Sequence, residues 1–109
     1  MEFVETGLFT RRVIALGLEE ELRQLQLELQ ANPLSAPVEP GTGGLRKVRM
    51  ADRSRGMGKS GGARVHYLAL PHRNRIYLLS VYTKDEVDAL SSKQKEMLRK
   101  VVDAIKRAV

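Results

Sequence analysis

Lys47, Arg49, Arg64 and His66 are the residues of this sequence whose types and spacing could do chemistry together. Each pair is two residues apart, so an extended chain sets both of its side chains on one face. Three cations and an imidazole on a shared surface suit a phosphodiester. Arginine offers a planar fork that binds two phosphate oxygens and stays protonated. Lysine takes up a proton only when its pKa falls, and neighbouring cations push it that way. If the phosphodiester is RNA, the nucleophile is already present as the 2′-hydroxyl. The protein then has to remove that proton, stabilise extra charge on phosphate and protonate the leaving 5′ oxygen. None of these tasks requires a metal. A solvated strand face is the simpler account of Lys47 taken alone, and a half-buried sheet residue that of His66.

The formal net charge is +6, and its placement says more than its size. Residues 1–45 hold three basic and seven acidic groups, residues 46–75 nine basic groups against Asp52 alone, and residues 76–109 seven against five. A field concentrated in this way attracts polyanions and speeds their association, which favours a nucleic-acid surface over mere solubility. Other classes drop out. In GMGKSGG (residues 56–62), Arg53 stands where a phosphate-binding P-loop needs its first glycine, and the strand-like ARVHYLAL follows in place of a helix. The segment reads instead as a basic hairpin loop that can approach a nucleic-acid backbone. His66 and His72, and the group Asp85, Glu86 and Asp88, lack metal-site spacing, so no metal and no cofactor is expected. No serine, histidine and acid fall into a recognisable nucleophile arrangement. Two carboxylates flanking a sugar would leave the positive segment unexplained. Cysteine is absent, which excludes disulfides and thiolate metal sites.

The elements that must position these residues form one domain over 1–109. A short strand fits residues 2–6. Thr10 can cap a brief helix over Arg11 to Leu16, ended by Gly17. A clearer helix runs from about Glu19 to Gln30, with Leu18, Leu22, Leu25 and Leu29 as its core stripe, three acids in its first turn and Asn32-Pro33 as its stop. PLSAPVEPGTGG (33–44) reads as a loop. Strands follow over Leu45 to Ala51, Ala63 to Leu70 and Arg75 to Thr83, the last probing as the central one by its apolarity, with a turn over Pro71 to Asn74. Ser91 and Gln94 make a capping box for a final helix whose apolar face is Met97, Leu98, Val101, Val102 and Ile105. The order predicts an α+β fold: a small antiparallel β-sheet with N-terminal helices and a C-terminal helix packed on one face. The other face is then open, and the alternation offers it Lys47, Arg49, Arg64 and His66. Tyr67 and Tyr77 are expected as core aromatics. Apolar runs such as Ile76 to Tyr82 are too short for a membrane span, and MEFVETGLF lacks an export pattern, so a cytoplasmic protein with no membrane partner is expected.

Asn32-Pro33, then GTGGLRKVR, GKSGGARVHY and IYLLSVYTKDE, in that order, resemble the RelE/HigB superfamily of bacterial type II toxins, and most of all its HigB-like branch. The resemblance spans about residues 8–105. It implies a RelE-like sheet flanked by helices, and an mRNA interferase: a ribosome-dependent endoribonuclease that cuts messenger RNA in the decoding site and inhibits translation. By the same resemblance the catalytic positions fall on Lys47, Arg49, Arg64 and Lys84, with the two arginines clamping phosphate and a lysine handling protons. Some relatives carry an arginine after the last of these and a tyrosine in the C-terminal segment; here Asp85 follows Lys84 and the C-terminal segment holds no tyrosine. His66, Tyr82 or Tyr67 is left to stand in as acid or base. Arg46 alternates toward the core side, where a structural pairing is expected, and is counted with Arg53, Arg55, Lys59, Arg73 and Arg75 as an RNA contact.

The partners so implied are the ribosome, messenger RNA and a cognate helix-turn-helix, HigA-like antitoxin. The alternative is a non-catalytic basic module that binds RNA or DNA. Single-strand binding of that kind needs stacking platforms, and the sequence has only three tyrosines and two phenylalanines. A structural adaptor built on the leucine helix and the last helix is a third reading.

Overall fold

The computed structural model describes residues 1–53, 56–58, 61–86 and 89–109. In chain order it consists of β1 (Glu2–Glu5), α1 (Gly7–Leu16), α2 (Glu19–Ala31), β2 (Arg46–Met50), β3 (Ala63–Leu70), a 3-10 turn (Pro71–Arg73), β4 (Arg75–Thr83) and α3 (Ser92–Ala108). The strands form one sheet in the order β1-β4-β3-β2, with β2, β3 and β4 antiparallel and β1 parallel to β4. The fold is therefore α+β, as expected. The sheet is mixed rather than wholly antiparallel because β1 joins the far edge of β4, with both helices and two strands between them in sequence.

Local chemistry accounts for most element ends. Helix α1 starts earlier than the expected Thr10 cap. The Thr6 hydroxyl accepts the Phe9 N–H and itself donates to the Leu79 carbonyl, tying the helix start to the sheet. Thr10 lies inside the helix and donates to Glu5. Both threonines suit a cap by type; the burial of Phe9 under the sheet decides between them. Gly17 closes the helix in the left-handed region at φ 66°, where a side chain would be strained. The expected stripe Leu18, Leu22, Leu25 and Leu29 is buried throughout. Ser91 and Gln94 exchange both bonds of the capping box that opens α3. Asn74, at φ 53°, turns the chain between β3 and β4.

Two apolar layers sandwich the sheet. On one face, Phe9, Val13 and the α2 leucines pack against Val65, Tyr67, Ile76, Leu78 and Met50. On the other, Val102, Leu98 and Ile105 of α3 pack against Leu68, Leu70, Leu79, Tyr77 and Leu45. The expectation that all helices share one face is thus corrected: α3 lies opposite α1 and α2. The reason is in β3 and β4, which alternate apolar side chains to both faces and need a cover on each. That cover is partial. The second layer sits over the Leu68–Leu70 end of β3, and Lys47, Arg49 and Arg64 on the same face remain half-buried or exposed beyond it. Among the described residues no helix is long and apolar enough to cross a membrane.

Candidate functional site

Strand register builds the site as two rungs. Lys47 on β2 pairs with His66 on β3, which pairs with Ser80 on β4; Arg49 pairs with Arg64, which pairs with Tyr82. Directly paired residues of neighbouring strands point to the same face with Cβ atoms about 5 Å apart. A register shift between His66 and Tyr67 makes this alignment possible, since Tyr67 pairs with Leu78 and His66 with Ser80, leaving Leu79 as an extra residue. The bulge lets both Leu79 and Ser80 serve the α3 side while Val81 returns to the first core. Without it, Ser80 and Tyr82 would turn away from His66 and Arg64.

The two rungs differ in character. Arg49 and Arg64 start from one rung of the sheet, and Arg49, on the edge strand, also borders grooves with Glu21 and Glu28 of α2. Arg64 also reaches the carbonyls of Gly62 and Ala63 at 3.5 and 3.4 Å. The first rung is built around His66, which is fully enclosed. Its Nδ1 shares a 3.1 Å hydrogen bond with the Ser80 hydroxyl, and its ring stacks on Tyr82 with centroids 5.8 Å apart. Its Nε2 has no hydrogen-bond partner among the described residues and lies 3.7 Å from Glu39 Oε1. Burial lowers the His66 pKa, partly offset by the Glu39 carboxylate, so the imidazole is neutral at pH 7. Burial likewise raises the Tyr82 hydroxyl, with Glu39 adding to the rise and Arg64 opposing it. Enclosed in this way, His66 acts on a bound molecule only through its neighbours.

Glu39 is the residue that sequence reasoning missed. Its carboxylate lies 3.6 Å from Lys47 Nζ as well as beside His66. The expected loop 33–44 in fact runs back along β2. Lys47 N–H donates to the Pro37 carbonyl, Glu39 N–H to the Leu45 carbonyl, and Val38 bridges Arg46. Buried Thr42 closes the turn, donating to the Glu39 carbonyl and accepting the Leu45 N–H. The only available signal was the short extended step Val38-Glu39 between Pro37 and Pro40, followed by a Gly-Thr-Gly-Gly turn that returns the chain.

The other expected positions divide by place. Lys84 is exposed just after β4, and its N–H donates to the Gly62 carbonyl, so it stands at the Arg64 end of the sheet. The turn that carries it is held by Glu86, whose carboxylate accepts the Thr83 N–H and pairs with Arg12. The Thr83 N–H, and then Arg12, holds that carboxyl below its usual range. Arg53 is exposed beyond β2 and shares a small groove with Arg49 against α2. Arg46 turns to the opposite face, where its guanidinium donates to the Ala36 and Leu34 carbonyls at 2.7 and 3.2 Å, the structural pairing expected of it. Arg73 and Arg75 lie at the far end of the β3–β4 hairpin, roughly 20 Å of strand from Arg64. Arg75 there pairs with Glu2 and sits over the Tyr77 ring. Arg55 and Lys59, and Asp88 of the acidic group, fall outside the described residues. Among the described residues no group of three or more histidines or acids converges to hold a metal ion. No known family model matches this chain.

Proposed function

We propose that this chain is the toxin of a bacterial type II toxin–antitoxin pair, a ribosome-dependent endoribonuclease of the RelE/HigB type. The observation that carries the reading is the rung of Arg49 against Arg64 with Lys47 beside it, on the strip that α3 leaves uncovered. Two arginines on one rung are placed to clamp an anion from both sides. The α+β architecture is compatible with a RelE-like fold, and the four sequence segments that resemble the superfamily include β2, β3 and β4.

In this reading a messenger phosphate docks between Arg49 and Arg64, and its own 2′-hydroxyl attacks it. Lys47 or Lys84 handles protons, and Lys84 enters from the turn after β4. The grip on the rest of the messenger comes from the ribosome, because the tyrosine and phenylalanine rings are taken up by packing rather than offered for stacking. Tyr67 and Tyr82 are buried, Tyr77 lies under α3, and Phe3 and Phe9 pack in the opposite core. The same fact weighs against the non-catalytic binding module. The protein works in the cytoplasm, held in check by a helix-turn-helix antitoxin.

Purified protein added to bacterial ribosomes programmed with one defined messenger, beside the same messenger free in solution, tests the proposal. Cuts confined to the decoding-site codon of ribosome-bound messenger, and lost in Arg64→Ala, are expected. Equal cutting of free RNA would make it a general ribonuclease. Tight binding without cleavage would transfer the site to the binding-module reading.

A further inference from the structure

We propose that Glu39 is the proton acceptor of this site, with Lys47 as its proton-donating partner and His66 as the buried residue that positions it. The proposal rests on the endoribonuclease reading above and names the groups that move the protons in it.

Three observations point to Glu39. Its carboxylate is held between the members of the first rung: Oε1 lies 3.6 Å from Lys47 Nζ and 3.7 Å from His66 Nε2, on the face that carries Arg49 and Arg64. Its backbone is fixed by a closed turn rather than left to a mobile loop, through the Leu45 carbonyl, the Val38–Arg46 bridge and the Thr42 hydroxyl. His66 behind it is fully enclosed, with Nδ1 engaged by Ser80 and Nε2 turned toward the carboxylate. A buried imidazole whose free nitrogen faces a more accessible carboxylate orients that carboxylate; it does not reach the substrate itself. A serine, a histidine and an acid do line up here. Yet the histidine is the most enclosed of the three and the acid is the one beside Lys47, so the outward end of the string is the carboxylate.

The step balances without an added reactant. Glu39 takes the proton of the 2′-hydroxyl as the O2′–P bond forms. The P–O5′ bond breaks with its electron pair on O5′, which takes a proton from the Lys47 ammonium. The proton on Glu39 then passes to the Lys47 amine across the 3.6 Å gap, and both groups return to their starting forms. The products are a 2′,3′-cyclic phosphate and a 5′-hydroxyl. Among the described residues, the charged and titratable groups that act on Glu39 and His66 are Lys47 of β2, Tyr82 of β4 and Lys95 of α3.

The test is single-turnover cleavage of ribosome-bound messenger as a function of pH, with ribosome binding measured in parallel by sedimentation. Glu39→Gln is expected to bind like the wild type and to cleave about 100-fold or more slowly, with a pH profile that differs from that of the wild type. Added formate is expected to restore part of the rate to Glu39→Ala and none to Arg64→Ala, a rescue that a merely structural role would not give. Glu39→Gln cleaving within about threefold of wild type with the same pH profile overturns the proposal and leaves the endoribonuclease reading standing. So does a Glu39→Gln defect confined to binding, with the saturated rate unchanged. Wild-type protein that leaves ribosome-bound messenger intact overturns both.

Discussion

Arg49 and Arg64 stand opposite each other across β2 and β3, and this pairing separates stability from activity. Arg49→Gln keeps the strand position while removing one arm of the proposed phosphate clamp. Its melting temperature is expected to match that of the wild type while cleavage falls about 100-fold; a clear drop in Tm would show that Arg49 serves the fold. His66 gives a pH signature of the opposite kind. Its folded pKa is held below the ordinary 6.5 by burial, so the unfolded chain binds the proton more readily. The stability this contributes is complete above about pH 6.5 and is lost as pH falls below that value. The Tm of the wild type is therefore expected to fall between pH 7.5 and pH 5.5 by more than that of His66→Asn, with a fall of equal size counting against the burial account. At this scale the cations were legible in the sequence, because period-two alternation alone sets Lys47, Arg49, Arg64 and His66 on one face. Glu39 was not, because its place depends on Thr42 closing a turn and on Val38 meeting Arg46. The extended Val38-Glu39 step and the Gly-Thr-Gly-Gly turn hint at a returning chain, but they do not say which strand it returns along.

At the scale of elements, the approach of β3 to the end of β2 is set by Gly62. A Cβ built there would lie 2.2 Å from the Met50 carbonyl and 2.9 Å from the Asp52 nitrogen, both backbone atoms that cannot swing aside. Gly62→Ala is expected to push the strands apart where Arg49 meets Arg64, at a cost of about 1–3 kcal/mol. A thermal melt and the cleavage rate should both fall. A variant that melts like the wild type would mean that this strand contact is looser than the geometry implies. Spans were legible to within a residue or two for α2, β3 and β4, and the start of α3 from its capping box, where periodicity and caps agree. The side taken by α3 was not. Its apolar stripe shows that it must be buried, whereas the face it takes follows from Leu68, Leu70 and Leu79 lying opposite Tyr67, Ile76 and Leu78. Those apolar residues on both faces of β3 and β4 were visible in the sequence and are what a one-sided cover would have left exposed.

Over the whole molecule, charge and fold divide the labour. The acidic N-terminal segment folds into the α1–α2 layer, and the basic segment supplies β2, β3 and the strip left open on the other side of the sheet. The positive field thus has a defined exit, on the α3 face beyond the end of the α3 layer. An RNA drawn to that strip meets Arg49, Arg64 and Lys47 with the Glu39 carboxylate beside the lysine, a set suited to internal attack by the 2′-hydroxyl. The end groups left by cleavage report most directly on that chemistry. Messenger cut on programmed ribosomes by the wild-type protein should carry a 2′,3′-cyclic phosphate upstream and a 5′-hydroxyl downstream, and Arg64→Ala should yield neither. A 3′-hydroxyl facing a 5′-phosphate, or undiminished cutting by Arg64→Ala, would contradict the account.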